Sequence, residues 1–299
     1  MPDIRLFSLI LLIVFIAACG HDDMDKTIRF DLTITPEQLT AKVGRSLSGQ
    51  NTNGFVALST PILDDGYVAL YDHPGYEISI PNPSSVIWYF DKPPRGPGII
   101  ESSDFVFSDS ALNQIKTPEQ ARAYLQSFID QFQRGKWKRR IRDDCPRLTG
   151  RASMIDISRE TVKSLAKPEF KNFMNFSNCT IDPAFSPPLD EWIRMASPSQ
   201  GLHYSWRDDR GVIADLDFNA DEPQADGTYG PYQPGTSPLS VNLSFELESA
   251  KKKQEQDQRA RDLKERWGAE VAPTEAERRR IRDLLEEMAV QRGEALAER

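Results

Sequence analysis

The chain of 299 residues is poor in the side chains that most often carry catalysis: it has three histidines and three cysteines. It contains no His-Glu-x-x-His, no Gly-x-Ser-x-Gly, no phosphate-binding P-loop and no dinucleotide fingerprint. Zincin, α/β-hydrolase, nucleotide-triphosphatase and Rossmann chemistry therefore have no sequence signal. Positive charge is outnumbered, with 37 Lys and Arg against 45 Asp and Glu. A formal net charge of −8 argues against nucleic acid or an anionic membrane surface as the main partner and suits a basic protein better. Long apolar runs are limited to one, from Leu6 to Ile16, which is too short for a membrane span. The 39% of hydrophobic residues is enough for a folded core elsewhere.

That single run ends in Ile16-Ala17-Ala18-Cys19-Gly20. An apolar stretch followed by small residues has the form of a secretory signal. Small residues directly before a cysteine resemble the lipobox of bacterial lipoproteins. The resemblance implies cleavage before Cys19 and acylation of its thiol, with residues 1–18 as signal peptide and 19–26 as a lipidated tether. Asp3 offsets Arg5, so the segment ahead of the run is weakly charged for this class. Several acyl chains, at roughly 0.8 kcal/mol per buried methylene, would make the membrane attachment durable. Gly20, standing where lipoproteins retained in the inner membrane carry Asp, implies the outer membrane, with the body facing the periplasm.

With Cys19 acylated, Cys145 and Cys179 remain as an even pair in an oxidising compartment, and a disulfide is expected. Free buried thiols are the alternative.

Residues 27–247 read as an α+β body. Thr27 to Ile34 alternates with period two, as a strand with one buried face does. Thr35-Pro36-Glu37-Gln38 then opens a short helix: threonine caps, proline takes the first helical position, glutamine closes a capping box, and Gly44 stops it. The same tetrapeptide at Thr117-Pro118-Glu119-Gln120 opens a longer helix. Ala121, Tyr124, Leu125, Phe128, Ile129 and Phe132 form one apolar stripe along it, ahead of Gly135. Short strands are expected at 56–58, 67–71, 77–80, 86–90 and 105–107, helices at 158–166 and 189–195, a hairpin of 202–207 with 211–218, and a last strand at 239–247. The whole reads as a mainly antiparallel sheet with a long amphipathic helix packed on it.

Residues 248–299 change character, with thirteen Lys/Arg and thirteen Asp/Glu. They read as a charged helical tail: a solvated helix over 248–267, a break at Gly268 to Pro273, and a second helix capped by Thr274 and Glu277. Ile281, Leu284, Leu285 and Met288 give that second helix a narrow apolar stripe. Docking on the body and coiled-coil pairing are both compatible with it.

His73 falls in a turn and His203 at a strand start, so neither is assigned catalysis or a metal. Asp215, Asp217, Asn219, Asp221 and Asp226 imitate the oxygen spacing of a calcium loop. Ala220 replaces the required turn glycine, and aspartate stands where the loop needs glutamate, so no metal or cofactor is assigned. The long loop from Asn219 to Pro238 is the candidate binding surface, with Tyr229 and Tyr232 as aromatic anchors among Asp221, Glu222 and Asp226.

These features favour a protein that binds a protein partner without being an enzyme. The lipobox, the acidity and the Thr-Pro-Glu-Gln helix starts resemble periplasmic immunity lipoproteins paired with secreted toxins. That resemblance implies occlusion of a toxin by an acidic surface. Two alternatives stay open: an envelope-assembly or cell-wall accessory lipoprotein whose helical tail engages a partner, and a cell-wall-active enzyme using paired carboxylates.

Overall fold

A computed structural model describes residues 26–52, 55–92, 97–172, 174–230, 238–252 and 271–298. Two sheets carry the fold, and it is α+β. The smaller sheet has the order β1-β4-β5, from Thr27–Phe30, Val68–Tyr71 and Ile78–Pro81, with β1 parallel to β4 and β4 antiparallel to β5. The larger sheet is antiparallel with the order β2-β3-β6-β7-β11-β10-β9-β8. Its strands span Ser48–Thr52 (β2), Phe55–Ser59 (β3), Pro83–Asp91 (β6), Ser102–Phe107 (β7), Lys138–Arg139 (β8), Leu202–Arg207 (β9), Val212–Ala220 (β10) and Leu239–Leu247 (β11).

Both Thr-Pro-Glu-Gln helices form as expected. In α1, Pro36–Val43, Thr35 accepts from the Gln38 N–H, Gln38 reaches back to Thr35, and Gly44 stops the helix at φ 68°. Only glycine takes that conformation without a Cβ penalty. A single turn, α2, spans Asp109–Leu112. The long helix α3, Pro118–Arg134, buries Ala121, Leu125, Phe128, Ile129 and Phe132. Phe132 stacks on Trp206 of β9 at 4.0 Å, and Phe128 meets Phe107 of β7 edge-on at 6.0 Å. The helix thus lies across the larger sheet. From its other side Gln131 accepts from the Ser79 N–H at 2.8 Å and donates to the Ser79 carbonyl at 3.0 Å, occupying backbone groups of edge strand β5. Phe30 of β1 closes the space between the two sheets, 5.3 Å from Phe105 and 5.7 Å from Phe245.

Three shorter helices follow: α4, Ala152–Ile155; α5, Arg159–Leu165; and α6, Leu189–Ala196, whose Trp192 packs on Phe218 of β10. Cys145 and Cys179 form the expected disulfide, with a Cα–Cα distance of 5.5 Å. In the chain-entropy account, closing a loop of this size stabilises the fold by about 3 to 4 kcal/mol. The bridge ties the segment after β8 to residues 180 and 181, which hydrogen-bond along β9 through Ile181 N–H to His203 O at 2.9 Å.

The charged C-terminal segment differs from expectation in one respect. Its helix α7 runs from Val271 to Gln291, through Pro273 and Thr274, so Thr274 lies inside the helix and does not cap it. Ile281, Leu285 and Ala289 are fully buried and belong to the same core as the sheets. The helix is docked on the body. Residues 248–252 continue helically from β11; the rest of the expected 248–267 helix lies outside the described residues.

Candidate functional site

Three gatherings of polar side chains among the described residues include the site residues expected from the sequence. The first is the β9–β10 turn, where Asp208-Asp209-Arg210 connects the strands as expected. Asp208 Oδ1 accepts from the Arg210 N–H at 2.9 Å and the Val212 N–H at 2.8 Å, and Gly211 adopts φ 80°. Asp208 Oδ2 accepts from the Tyr71 hydroxyl at 2.9 Å and from Arg210 Nε at 3.4 Å. Arg210 reaches on to both carboxylate oxygens of Asp31, at 2.7 and 3.2 Å. Burial raises the Tyr71 phenol, and the Asp208 charge adds to it. Burial alone would lower the Arg210 guanidinium; the Asp31 hydrogen bond and the surrounding negative charge reverse this and raise it.

His73 sits beside this network, stacked on Tyr76 at 5.2 Å with Nε2 3.3 Å from Asp209. Ligand-capable atoms of His73, Asp208 and Asp209 all lie within 4.8 Å of one another. Asp208 nevertheless has no oxygen left for an ion, because four donors already occupy it. His73 and Asp209 alone are fewer than a structural site uses. The cluster is a structural clasp joining β4, β1 and the hairpin.

The second gathering lies on the face of the larger sheet opposite α3. Register places Ser205 beside Asp215 and His203 beside Asp217. Ser205 Oγ donates to Asp215 at 2.5 Å, Lys251 pairs with the other Asp215 oxygen, and His203 Nδ1 lies 2.7 Å from Asp217. Burial raises the Asp215 carboxyl, but Lys251 and His203 outweigh it and hold the group below the ordinary carboxylate value. This is not a nucleophile-base pair, since the serine bonds a carboxylate and not the imidazole. The calcium-like spacing is explained here too. Strand β10 runs on through Ala220, so Asp215 and Asp217 lie along an extended strand and do not converge with Asp221 and Asp226.

The third is the loop after β10. Asp221, Glu222 and Asp226 are exposed, as expected for a binding surface. Tyr229 corrects the expectation: it is only 5% exposed, turned into the body, and its N–H donates to the Lys116 carbonyl at 2.8 Å. Burial, helped by Glu119 and Asp221, pushes its phenol up to about 12. An aromatic ring this hydrophobic gains more from the body's core than from solvent. Tyr229 anchors the loop and cannot be a contact for a partner. Between Tyr229 and Asp221 the chain makes a tight turn: Gln224 N–H to Thr228 O at 2.7 Å, Gly227 N–H to Gln224 O at 2.8 Å, and Thr228 Oγ1 to Asp226 at 2.7 Å. Tyr232 lies outside the described residues, as do Cys19 and the apolar run before it. Among the described residues no helix is long and apolar enough to cross a membrane.

No family model, no curated protein and no solved structure matches the chain.

Proposed function

We propose that the chain is a lipid-anchored protein of the bacterial cell envelope, attached through Cys19, that acts by binding a basic protein partner. The observation that carries the reading is the turn from Asp221 to Thr228, which holds three exposed carboxylates on a backbone fixed by its own hydrogen bonds and by buried Tyr229. Carboxylates preset in this way steer a basic surface and lose little freedom on contact. Occlusion of a secreted toxin is the form of binding that the likeness to immunity lipoproteins suggests. The disulfide supports an oxidising compartment.

Two features weigh against the alternatives. The buried carboxylates Asp208 and Asp215 are each engaged by an internal cation, which removes the best-placed candidates for paired acid-base work. The buried face of α7, Ile281, Leu285 and Ala289, belongs to the core of the body, so of the expected stripe only the partly exposed Leu284 and Met288 are left for a coiled-coil partner.

Each part has its own test. Cys19→Ser is expected to abolish labelling by alkyne palmitate and to release the protein from the membrane fraction; unchanged labelling defeats the anchor. In pull-downs of the full chain from envelope extracts, the triple variant Asp221→Asn, Glu222→Gln, Asp226→Asn is expected to recover the partner about five- to thirtyfold less efficiently, from about 0.3 to 0.7 kcal/mol per exposed charge. Equal recovery from wild type and variant removes the acidic turn from the binding surface.

A further inference from the structure

The least expected surface of this acidic chain is basic. Strand β8 is the edge of the larger sheet, and its register sets Lys138 opposite Arg207 and Arg139 opposite Trp206. Arg140 N–H donates to Ser205 O at 2.8 Å and so continues the register by one residue. The alternation of a strand therefore puts Lys138 and Arg140 on the side of Arg207, and Arg139 on the other, where it binds the Leu148 and Thr180 carbonyls at 2.9 and 2.6 Å. Beside them opens a cleft of about 530 Å³ whose lining holds six Lys/Arg against three Asp/Glu.

The carboxylates do not neutralise this cleft. Glu248 is shared between Arg207 at 2.9 Å and Lys252 at 3.2 Å, and Asp144 between Arg142 and Arg278, both at 3.1 Å. The side chains of Lys138 and Arg140 have no hydrogen-bond or ion-pair partner among the described residues. Like charges set directly opposite, as Lys138 and Arg207 are, cost stability on a sheet. An anion held between them reverses that cost.

We propose that this cleft is a binding site for a phosphate group, with Lys138 and Arg140 as its unneutralised cations and Arg207 and Arg142 completing the donors. Guanidinium forks match tetrahedral oxyanions, and the excess of cations over carboxylates is better met by a group carrying about −1.5 to −2 than by a single carboxylate. The overall charge of −8 does not forbid it, because the Debye length of about 8 Å at physiological salt screens the distant acids while the concave lining concentrates its own field. The phosphate belongs either to a soluble molecule or to a lipid headgroup. The site lies apart from the acidic turn at 221–226, so the two proposals fail separately: pull-down reads one and phosphate titration reads the other.

The test is calorimetric titration of the full chain in neutral detergent, with inorganic phosphate in one arm and phosphatidate-containing micelles in the other. Saturable binding is expected, weakened at least tenfold in Lys138→Gln/Arg140→Gln and unchanged in Lys136→Gln, which removes a charge outside the cleft. The double variant should melt no lower than the wild type, since Lys138 and Arg140 have no described hydrogen-bond or ion-pair partner and their replacement relieves the repulsion between Lys138 and Arg207. A response to inorganic phosphate assigns a soluble ligand, and a response confined to the micelles assigns a headgroup. No saturable binding in either arm, equal weakening by Lys136→Gln, or equal affinity for acetate overturns the proposal.

Discussion

Replacing Arg210 by Met lowers the unfolding free energy by about 3 to 5 kcal/mol, the usual consequence of removing one partner from a buried ion pair. The cause is what remains. The Asp208 side chain has no exposure and that of Asp31 has 13%, so both keep a charge that water reaches poorly. Asp208 retains the Tyr71 hydroxyl and two backbone N–H donors, whereas Asp31 loses its bidentate cation. For a domain of this size the loss corresponds to a fall in melting temperature of about 6 to 20 °C. Tyr71→Phe should be milder, about 1 to 3 kcal/mol, because Asp208 then loses one donor of four and no charge is orphaned. Denaturant titrations of both variants check the order. A smaller effect for Arg210→Met than for Tyr71→Phe contradicts the clasp.

The clasp itself was not legible in the sequence, and the reason is distance along the chain. Asp31, Tyr71 and Arg210 come from three elements, and only the pairing of β1 with β4, a parallel contact, brings the first two together. Local patterns carried much more. The alternation of Leu239 to Leu247 gives β11 to the residue, and the stripe from Ala121 to Phe132 is the buried face of α3. Strand β2 escaped because Ser48-Gly49-Gln50-Asn51-Thr52 has no apolar member to alternate; it forms as an outer partner of β3 through backbone bonds. Strand β8 escaped because two residues make no period. Tyr229 misled for a different reason. A tyrosine in a loop of Pro, Gly and Asp satisfies the composition of a binding surface, but composition does not say which way a ring turns. The basic cleft was hidden inside a net charge of −8, since a total records no positions.

The sequence leaves docking and coiled-coil pairing both open for the charged C-terminal segment, and its docking on the body makes a strong prediction. In α7 the positions Glu277, Ile281, Leu285 and Ala289 recur every fourth residue and are all buried. Leu285→Ala should therefore cost about 2 to 5 kcal/mol, as for a core leucine, where a leucine on a solvated tail would cost almost nothing. Removal of 271–299 goes further: it uncovers the core face that these side chains close, and the truncated body is expected to bind a hydrophobic dye and to lose its cooperative transition. The same helix gives the protein an acid limit. Arg280 hydrogen bonds hold the Glu277 carboxyl down to about 2, against the opposing effect of burial, and the Lys167 N–H adds a further donor at 2.9 Å. A carboxyl depressed in the folded state contributes stability that is complete above its unfolded value near 4.5 and is lost as pH falls toward 2. Between pH 5 and 2 the wild type should lose stability more steeply than Glu277→Gln, whose amide does not titrate. Parallel curves for the two proteins would mean that Glu277 does not hold the helix in place, and full stability of Leu285→Ala would mean that the helix does not close the core at all.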